Sequence, residues 1–399
     1  MKHILGYRCT LCGGEFPPGP DLLTCPVCGE KGILDIIYDY SFIGKHFNCE
    51  TLANNQDNSM WRYAALMPIK GEELSRFLRV GCSPLYESMR LGDMLGLKKL
   101  YIKDDGINPT ASLKDRASGV AAARALELGY DTICCSSTGN AASSCAGIAA
   151  RMGLKSIIYV PDRAPQGKLA QLLIFGAKVI RVQGDYRQTF ELSKKAIEQG
   201  GYYNRNAGIN PVMVEGKKTV AMEIAEQLSF APTDWVAVSV GDGCTIGGVY
   251  QGFYDLLRLG MIERIPRILG VQSSGCCPFV DAAAEGRALV PTAENTLADS
   301  IAVGVPRNPV KALRAVKNSG GAWLAVSDAE ILAAMRLLGS SEGVFGEPAG
   351  VTALAGVKRA AELGMIKADE TVTMISTGSG LKDVANALKA AETALSEKR

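Results

Sequence analysis

The sequence predicts an α/β protein with a mostly parallel sheet, preceded by a small N-terminal segment of zinc-ribbon type. From residue 97 onward, apolar runs of strand length alternate with longer segments of helical periodicity, which is typical of parallel sheets with helices on both faces. Before that region, four cysteines occur as two Cys-x2-Cys pairs that are twelve residues apart. This spacing is typical of structural zinc sites.

The cysteine segment is the first element along the chain. Its four cysteines are Cys9, Cys12, Cys25 and Cys28. Glycines follow both pairs and permit tight turns, and four thiolates close a tetrahedral metal site without an open position. We therefore expect a structural zinc ion, and the alternative is a set of scattered buried cysteines. After this segment, residues 33–40 predict a strand, and 61–66 and 72–78 predict short helices.

The rest of the chain alternates between strands and helices. Strands are predicted at 97–102, 132–136, 156–160, 178–182, 235–240, 267–271 and 372–376. Helices are predicted from near 112 onward and at 140–152, 167–175, 186–199, 219–228, 247–259, 328–338 and 350–363. At 399 residues the chain is long enough for two or three domains with a large core.

Composition excludes several classes of protein. The net charge is +2 and the charges are well mixed, so neither nucleic acid nor an anionic membrane is an expected partner. We find no apolar run of the ~18 residues that a membrane helix needs. The first residues lack a signal-peptide core, and twelve cysteines suit a reducing compartment. We expect a cytoplasmic protein.

The residues around Lys114 form the most informative stretch. They read Asn-Pro-Thr-Ala-Ser-Leu-Lys-Asp-Arg from Asn108 to Arg116, which predicts a turn followed by a helix. Lys114 falls at the helix start, where the helix dipole favours anions, so a lysine there is an unusual structural choice. That position favours a neutral amine able to attack an aldehyde. The alternative is a solvated first-turn lysine paired with Asp115.

Three loops of small and hydroxyl residues follow predicted strands. Residues 136–140 read Ser-Ser-Thr-Gly-Asn, residues 241–245 read Gly-Asp-Gly-Cys-Thr, and residues 376–380 read Ser-Thr-Gly-Ser-Gly. Ligands of open α/β sheets bind at the carboxyl ends of strands, and such loops at helix starts form cradles for carboxylates or phosphates. The spacing at 241–248 is that of neither a P-loop nor a dinucleotide fingerprint.

These motifs, in this order, resemble the threonine synthase family of pyridoxal-phosphate enzymes. The resemblance spans nearly the whole chain, including the four-cysteine segment and the Thr-Gly-Ser-Gly-Leu-Lys-Asp stretch that ends at Asp383. It implies a two-domain tryptophan-synthase-β-like fold, which is fold type II of pyridoxal-phosphate enzymes. The implied organisation is a zinc-ribbon-like segment at 1–40, a large cofactor-binding domain at 41–125 and 205–399, and a small α/β domain at 126–204.

The resemblance also implies a role for each motif residue. Lys114 would hold pyridoxal phosphate as a Schiff base and act as the general base at Cα. The other cofactor-binding residues would be Asn140 at the phenolic oxygen, Gly241, Asp242, Gly243, Cys244 and Thr245 at the phosphate, and Thr377 at the pyridine nitrogen. Ser137, Thr138 and Gly139 would bind the substrate α-carboxylate. A neutral hydroxyl at the pyridine nitrogen suits eliminations and replacements better than transamination.

The sequence departs from the family pattern at three places. Ala111 and Leu113 stand where the family usually has Gly and Phe, which is a conservative change. Asp242 stands in a phosphate loop that usually reads Gly-Asn-Gly-Gly-Asn, so we expect its carboxylate to point away and the backbone to carry the phosphate contact. Met213 stands where threonine synthases typically place a phosphate-binding arginine, and methionine cannot donate to a phosphate. Arg205 and Lys217 are possible substitutes.

The expected function is elimination or replacement on a small α-amino acid, with threonine synthase as the best guess. The alternatives are a threonine or serine ammonia-lyase, a cysteate-synthase-like β-replacement enzyme and a 2-amino-4-ketopentanoate thiolase-type subunit. From a different class, the chain could be a regulatory protein that shares the fold without catalysis. By resemblance we expect a homodimer with bound pyridoxal phosphate and zinc.

Overall fold

The computed structural model describes residues 1–19, 22–162, 166–183 and 186–396. The chain divides into two compact units, each assembled from two stretches of sequence. The first unit comprises Met1–Cys82 and Asn108–Thr219, and the second comprises Ser83–Ile107 and Val220–Arg399. The boundaries that the sequence predicts for a zinc-ribbon-like segment, a large domain and a small domain stay a prediction.

Strands and helices alternate along most of the described chain. The strands are β1 (Ile4–Cys9), β2 (Glu15–Phe16), β3 (Thr24–Cys25), β4 (Gly29–Tyr38), β5 (Leu85–Glu87), β6 (Lys99–Asp104), β7 (Thr132–Ser136), β8 (Lys155–Pro161), β9 (Lys178–Val182), β10 (Tyr203–Asn204), β11 (Trp235–Ser239), β12 (Arg267–Ser273), β13 (Ala322–Val326) and β14 (Thr371–Ser376). The α-helices are α1 (Tyr40–Ile43), α2 (Cys49–Ala53), α3 (Leu91–Met94), α4 (Lys114–Glu127), α5 (Asn140–Met152), α6 (Gln166–Ile174), α7 (Tyr186–Gly200), α8 (Val212–Lys217), α9 (Thr219–Gln227), α10 (Cys244–Arg258), α11 (Pro278–Glu285), α12 (Pro309–Asn318), α13 (Asp328–Glu342), α14 (Pro348–Glu362) and α15 (Val384–Ser396).

The N-terminal segment is an antiparallel ribbon with the strand order β2-β1-β4-β3. In the second half of β4, Leu34, Ile36 and Tyr38 are buried, as the two-residue period of a strand with one inward face requires. The segments predicted as short helices after the ribbon are 3-10 turns, at Met60–Leu66 and Leu74–Arg76. The ribbon and these turns belong to the first unit.

The sheet of the first unit has the order β10-β7-β8-β9, and its strands are parallel. All five residues of β7 are buried, as expected for a central strand that is covered on both faces. Helix α4 packs against α5 and α8. The start of α4 and the start of α5 therefore belong to the same packed group of helices.

The sheet of the second unit has the order β13-β12-β11-β14-β6-β5. Its strands are parallel except β5, which pairs antiparallel with β6 at one edge. Helix α14 packs against β11, β12 and β14, and a side chain at Gly356 would overlap the buried Val271. Among the described residues, none of the helices combines the length and the apolar character needed to cross a bilayer.

Candidate active site

The residues around Lys114 form a turn that ends where α4 begins, at Lys114 itself. Ala111 adopts a left-handed backbone conformation, with a φ of 64°. For a residue with a Cβ this conformation costs about 1–2 kcal/mol, and such strain tends to occur at functional sites. Lys114 is partly buried.

Asp115 holds the turn that precedes Lys114. Its carboxylate is fully buried and accepts two hydrogen bonds from Thr110, from the backbone N–H at 2.7 Å and from the hydroxyl at 2.5 Å. Both oxygens of Asp115 thus point back to the turn. These two bonds fix the backbone of the turn that precedes Lys114.

The loop after β7 carries the predicted carboxylate-binding residues. Ser137, Thr138 and Gly139 are partly exposed, and Asn140, the first residue of α5, is buried. The Ser137 N–H donates to the Tyr159 carbonyl at 3.1 Å, and the Gly139 N–H donates to the Ser137 hydroxyl oxygen at 3.2 Å. The loop therefore offers hydroxyl groups at a helix N-terminus, an arrangement that suits a carboxylate.

Helices α4 and α5, which begin at Lys114 and Asn140, pack against each other. The hydroxyl of Ser144 in α5 donates to the hydroxyl of Ser118 in α4 at 2.7 Å, in a buried position. Lys114 lies four residues before Ser118, and Asn140 lies four residues before Ser144. With a rise of about 1.5 Å per residue, each lies about 6 Å along its helix from this hydrogen bond.

The loop after β11 in the second unit has two glycines whose positions exclude a side chain. Gly243 has a φ of 86°, and a Cβ there would lie 2.6 Å from the Asn308 carbonyl oxygen. A Cβ at Gly241 would lie 2.8 Å from Cα of Ile301. Neither position accepts a side chain, and the N–H groups at the start of α10 form a cradle of the kind that binds phosphate. These residues fit the phosphate of a cofactor.

The carboxylate of Asp242 is bound by its own surroundings. Its Oδ1 accepts the Arg307 backbone N–H at 2.7 Å, and its Oδ2 accepts the Cys244 thiol at 3.4 Å. The Asn308 N–H donates to the Asp242 carbonyl at 3.0 Å, and its side-chain amide donates to the Cys244 sulfur at 2.9 Å. The segment around Asn308 therefore binds the loop at 241–245 through hydrogen bonds, one of which occupies the Asp242 carboxylate.

Arg307 and Asn308 were missed by reasoning from the sequence. They precede α12, which begins with Pro309 at its first position. The Asn-Pro pair is a sequence signal for a turn that leads into a helix. That signal identifies a helix start, but it does not indicate that the helix start lies against the loop at 241–245.

Thr377 directly follows β14, the sheet neighbour of β11. It is buried, and the residues after it are held by backbone hydrogen bonds: the Glu347 N–H donates to the Gly378 carbonyl at 2.9 Å, and the Gly380 N–H to the Phe345 carbonyl at 2.8 Å. Because the strands are parallel, Thr377 and the loop at 241–245 lie at the same edge of the sheet. A hydroxyl at this edge fits a ring nitrogen that accepts a hydrogen bond.

The four cysteines of the ribbon form one cluster. The four sulfur atoms of Cys9, Cys12, Cys25 and Cys28 lie within 4.8 Å of one another. The sulfurs of Cys12 and Cys25 are 3.7 Å apart, which matches the edge of about 3.8 Å that a Zn–S distance of about 2.3 Å gives in a tetrahedron. A side chain at Gly32 would collide with Cβ of Cys25, at 2.5 Å. The donor set and its spacing fit a zinc ion.

The Cys9 thiol is also prepared for ionisation. Burial works against its ionisation, but backbone hydrogen bonds from Cys12 and Leu11 and the neighbouring thiols outweigh burial and lower its pKa to about 7. A thiolate, and not a thiol, is the ligand of a metal ion.

A model of the family described as pyridoxal-phosphate dependent enzyme matches residues 77–378. The chain is 39% identical over 386 residues to a protein named threonine synthase from Methanosarcina acetivorans, with 96% of this chain and 93% of that protein covered. The chain belongs to the threonine synthase family of pyridoxal-phosphate dependent enzymes. A threonine synthase from Methanocaldococcus jannaschii is also 39% identical, over 96% of this chain and 95% of that protein.

Solved structures share the fold at lower identity. Diaminopropionate ammonia lyase from Escherichia coli in complex with D-serine aligns with a TM-score of 0.71 and 19% identity, covering 88% of this chain and 96% of that chain. Processed threonine deaminase isoform 2 from Solanum lycopersicum aligns with a TM-score of 0.69 and 22% identity, covering 85% and 94%. The chain has the fold-type-II, tryptophan-synthase-β-like architecture, as the motifs of the sequence predict.

Proposed function

We propose that this protein is a threonine synthase that converts O-phosphohomoserine and water to threonine and phosphate. The observation that carries the proposal is the similarity to two proteins of that name, at 39% identity over 96% of the chain. The strained turn before Lys114 and the glycine cradle at 241–245 support it, because they supply a fixed lysine and an anion site.

Each residue receives a role in this proposal. Pyridoxal phosphate, when bound, supplies an electron sink for the charge that develops at the substrate Cα. We assign its phosphate to the backbone of residues 241–245, its phenolic oxygen to Asn140 and its ring nitrogen to Thr377. Lys114 holds the aldehyde carbon and moves the proton of Cα. Ser137, Thr138 and Gly139 bind and orient the substrate carboxylate.

The test of this proposal is a substrate panel with the purified protein. O-phosphohomoserine should yield threonine and phosphate in equal amounts, and borohydride reduction should attach the cofactor to Lys114 in the peptide mass spectrum. Lys114→Ala should lower turnover by roughly a thousandfold or more. Lys155→Ala, which removes an exposed lysine paired with Asp131 at 2.9 Å, is the matched control and should keep full turnover. Label on another lysine would remove the assignment.

One observation favours a second candidate function. Met213 is fully buried in α8, and its thioether cannot hold a phosphate group, whereas a bidentate arginine could. The second candidate is therefore an ammonia-lyase that acts on serine or threonine without a phosphate. Ammonia and keto acid released from serine, with no phosphate from O-phosphohomoserine, would identify that activity.

The substitution Met213→Arg tests the same point. If O-phosphohomoserine is the substrate and its phosphate lies near α8, Met213→Arg should lower KM by about tenfold, because a hydrogen bond to a charged group contributes about 1.5–3 kcal/mol. An unchanged KM would mean that other residues hold the phosphate.

We also propose that the cysteine cluster holds one structural zinc ion. The spacing of the four sulfur atoms supports it. The purified protein should contain about one zinc per chain, and Cys12→Ser should lower that content. Cys276→Ser, which changes a cysteine outside the cluster, is the control and should leave the zinc content unchanged.

A cytoplasmic homodimer completes the proposal. Among the residues that the structure describes, the cysteines form no disulfide, as is usual in a reducing compartment. Leu381, Val384 and Leu388 are exposed apolar residues at and near the start of α15, and such residues are typical of contact surfaces. Sedimentation should give twice the chain mass, and Leu388→Glu should shift the protein toward a monomer if this surface is the interface.

A further inference from the structure

Three buried side chains meet where the ribbon ends. The Tyr38 hydroxyl donates to Oε2 of Glu215 at 2.7 Å, and the ammonium of Lys218 lies 2.5 Å from the same oxygen. The Lys218 ammonium also lies 4.2 Å from the centroid of the Tyr38 ring, which is cation–π distance. Tyr38 is 3% exposed and Lys218 is fully buried. We call these residues the Tyr38 cluster.

The ribbon fixes Tyr38 from its own side. Tyr38 is the last residue of β4 and pairs with Ile4 of β1. Its ring stacks on His3 with centroids 6.2 Å apart and an interplanar angle of 11°, and the Asp39 N–H donates to the His3 carbonyl at 2.9 Å. The position of the Tyr38 hydroxyl is therefore set by the strand pairing of the ribbon.

On its other side, α8 lies against the first turn of the lysine helix. Gly216 approaches the backbone of α4 so closely that a side chain there would overlap the Arg116 carbonyl. The guanidinium of Arg116 donates to the hydroxyl of Thr219 at 2.9 Å, in a buried position. Arg116 follows Lys114 by two residues, so α8 contacts the turn of α4 that carries Lys114.

Helix α8 depends on such contacts for its position. It has six residues, and helices shorter than about 12 residues are marginal on their own in water. The Glu215 carboxylate in α8 is buried beside a lysine, and such a charge is stabilised only when donors surround it. The hydrogen bond from Tyr38 is one of the bonds that connect this helix to the ribbon.

We propose that Tyr38 is a positioning residue for Lys114 and that it acts through Glu215 and α8. The ribbon then contributes to the geometry of the Lys114 site, because the hydroxyl of Tyr38 at the end of β4 orients α8 against the start of α4. The inference rests on the proposed role of Lys114, but the contacts behind it do not.

The experiment compares Tyr38→Phe with Tyr7→Phe. Both variants remove one hydroxyl from a buried ribbon tyrosine, and among the described residues the Tyr7 hydroxyl makes no hydrogen bond while that of Tyr38 bonds Glu215. Amide hydrogen exchange of the cofactor-free protein should become roughly tenfold faster at 212–218 and 114–118 in Tyr38→Phe. The dissociation constant for pyridoxal phosphate should rise by a similar factor. Tyr7→Phe should match the wild type in both.

A double-mutant cycle with Glu215→Gln shows whether Tyr38 acts through Glu215. If it does, Tyr38→Phe adds less than about twofold in the Glu215→Gln background. Equal exchange and equal cofactor affinity in Tyr38→Phe and Tyr7→Phe would overturn the inference. These readouts need no turnover, so they stand even if no substrate of the panel reacts and the proposed function fails. Should Tyr38→Phe not fold, exchange at 114–118 should still be faster in Glu215→Gln than in the wild type, and equal or slower exchange would overturn the inference.

Discussion

Two loops of the molecule share one sequence pattern but differ in backbone conformation and in the groups that they expose. Residues 137–140 and 241–245 both follow a buried parallel strand, contain small residues and open a helix. In the first loop, Gly139 has a negative φ of −109° and the hydroxyl residues are partly exposed. In the second, Gly243 has a φ of 86° and is buried. The first loop can therefore contact a ligand through side-chain hydroxyls, and the second through backbone N–H groups.

This difference explains where the sequence can vary. A loop that binds through backbone N–H groups tolerates new side chains if they point elsewhere, and Asp242 and Cys244 are engaged by the Arg307 N–H and the Asn308 amide. A loop that binds through hydroxyls depends on each of them. The departures from the family pattern at Asp242 and Cys244 therefore need not change the ligand.

Of the substitutions that compare the two loops, a side chain placed in the backbone loop has the largest expected effect. Gly243→Ala puts a Cβ at 2.6 Å from the Asn308 carbonyl oxygen and forces alanine to a φ of 86°. The loop must move, and the dissociation constant for pyridoxal phosphate should rise by a hundredfold or more, about 2.7 kcal/mol. Titration by absorbance measures it.

Gly260→Ala is the matched control for this variant. Gly260 follows the other end of α10 with a φ of 68°, and a Cβ there meets no atom within 4 Å. Gly260→Ala imposes the strain of a positive φ without a collision like the one with Asn308, so the affinity for pyridoxal phosphate should stay within about twofold of the wild type. If both variants bind the cofactor equally well, the close approach of Asn308 does not shape the phosphate site.

Much of this architecture is predictable from sequence because the periodic segments are long and apolar. The parallel α/β fold and the strands β7, β11 and β14 follow from runs that a sheet covered on both faces requires. Some missed elements are short: β5 has three residues and α8 has six, too few for a period to show. Longer elements were missed as well, namely β13, α12 and α15. Their positions depend on tertiary contacts.

The residues of the candidate site likewise fall into those that the local sequence reveals and those that depend on distant contacts. Lys114 and the loop glycines can be recognised as candidates from the local sequence, since a lysine at a helix start and glycine-rich loops are unusual. Asn308 and Tyr38 do not, because their roles arise from contacts with residues that are more than sixty positions away. The left-handed conformation of Ala111 was likewise missed, since alanine gives no sign of it.

The hydroxyl loop should respond to a smaller change and in a different measurement. Thr138→Val removes a hydroxyl and keeps the shape of the side chain. If this hydroxyl donates to the substrate carboxylate, KM should rise about tenfold, because such a bond contributes about 1.5–3 kcal/mol, while cofactor affinity stays the same. A change in cofactor affinity with an unchanged KM would reverse the roles assigned to the two loops.

Asp242→Asn should have a still smaller effect. The amide keeps an oxygen that accepts the Arg307 N–H, a bond of 2.7 Å in the wild type, and removes a negative charge from the loop. Cofactor affinity should improve by about two- to fivefold, and less so at high salt, because salt screens charges that are partly exposed. Weaker cofactor binding would show that the carboxylate itself is needed to hold Arg307.

The lysine turn gives the smallest effect and the sharpest contrast with the backbone loop. The backbone loop has a glycine at its position of positive φ, Gly243, whereas the lysine turn has an alanine, Ala111, at a φ of 64°. Ala111→Gly should therefore stabilise the cofactor-free protein by up to about 1 kcal/mol in urea unfolding, since relief of the strain outweighs the added freedom of the unfolded chain. Ala333→Gly, within the right-handed helix α13, should destabilise it by about 1 kcal/mol. Opposite signs for one and the same substitution would show that the turn before Lys114 stores strain, and equal signs would show that Ala111 sits there without it.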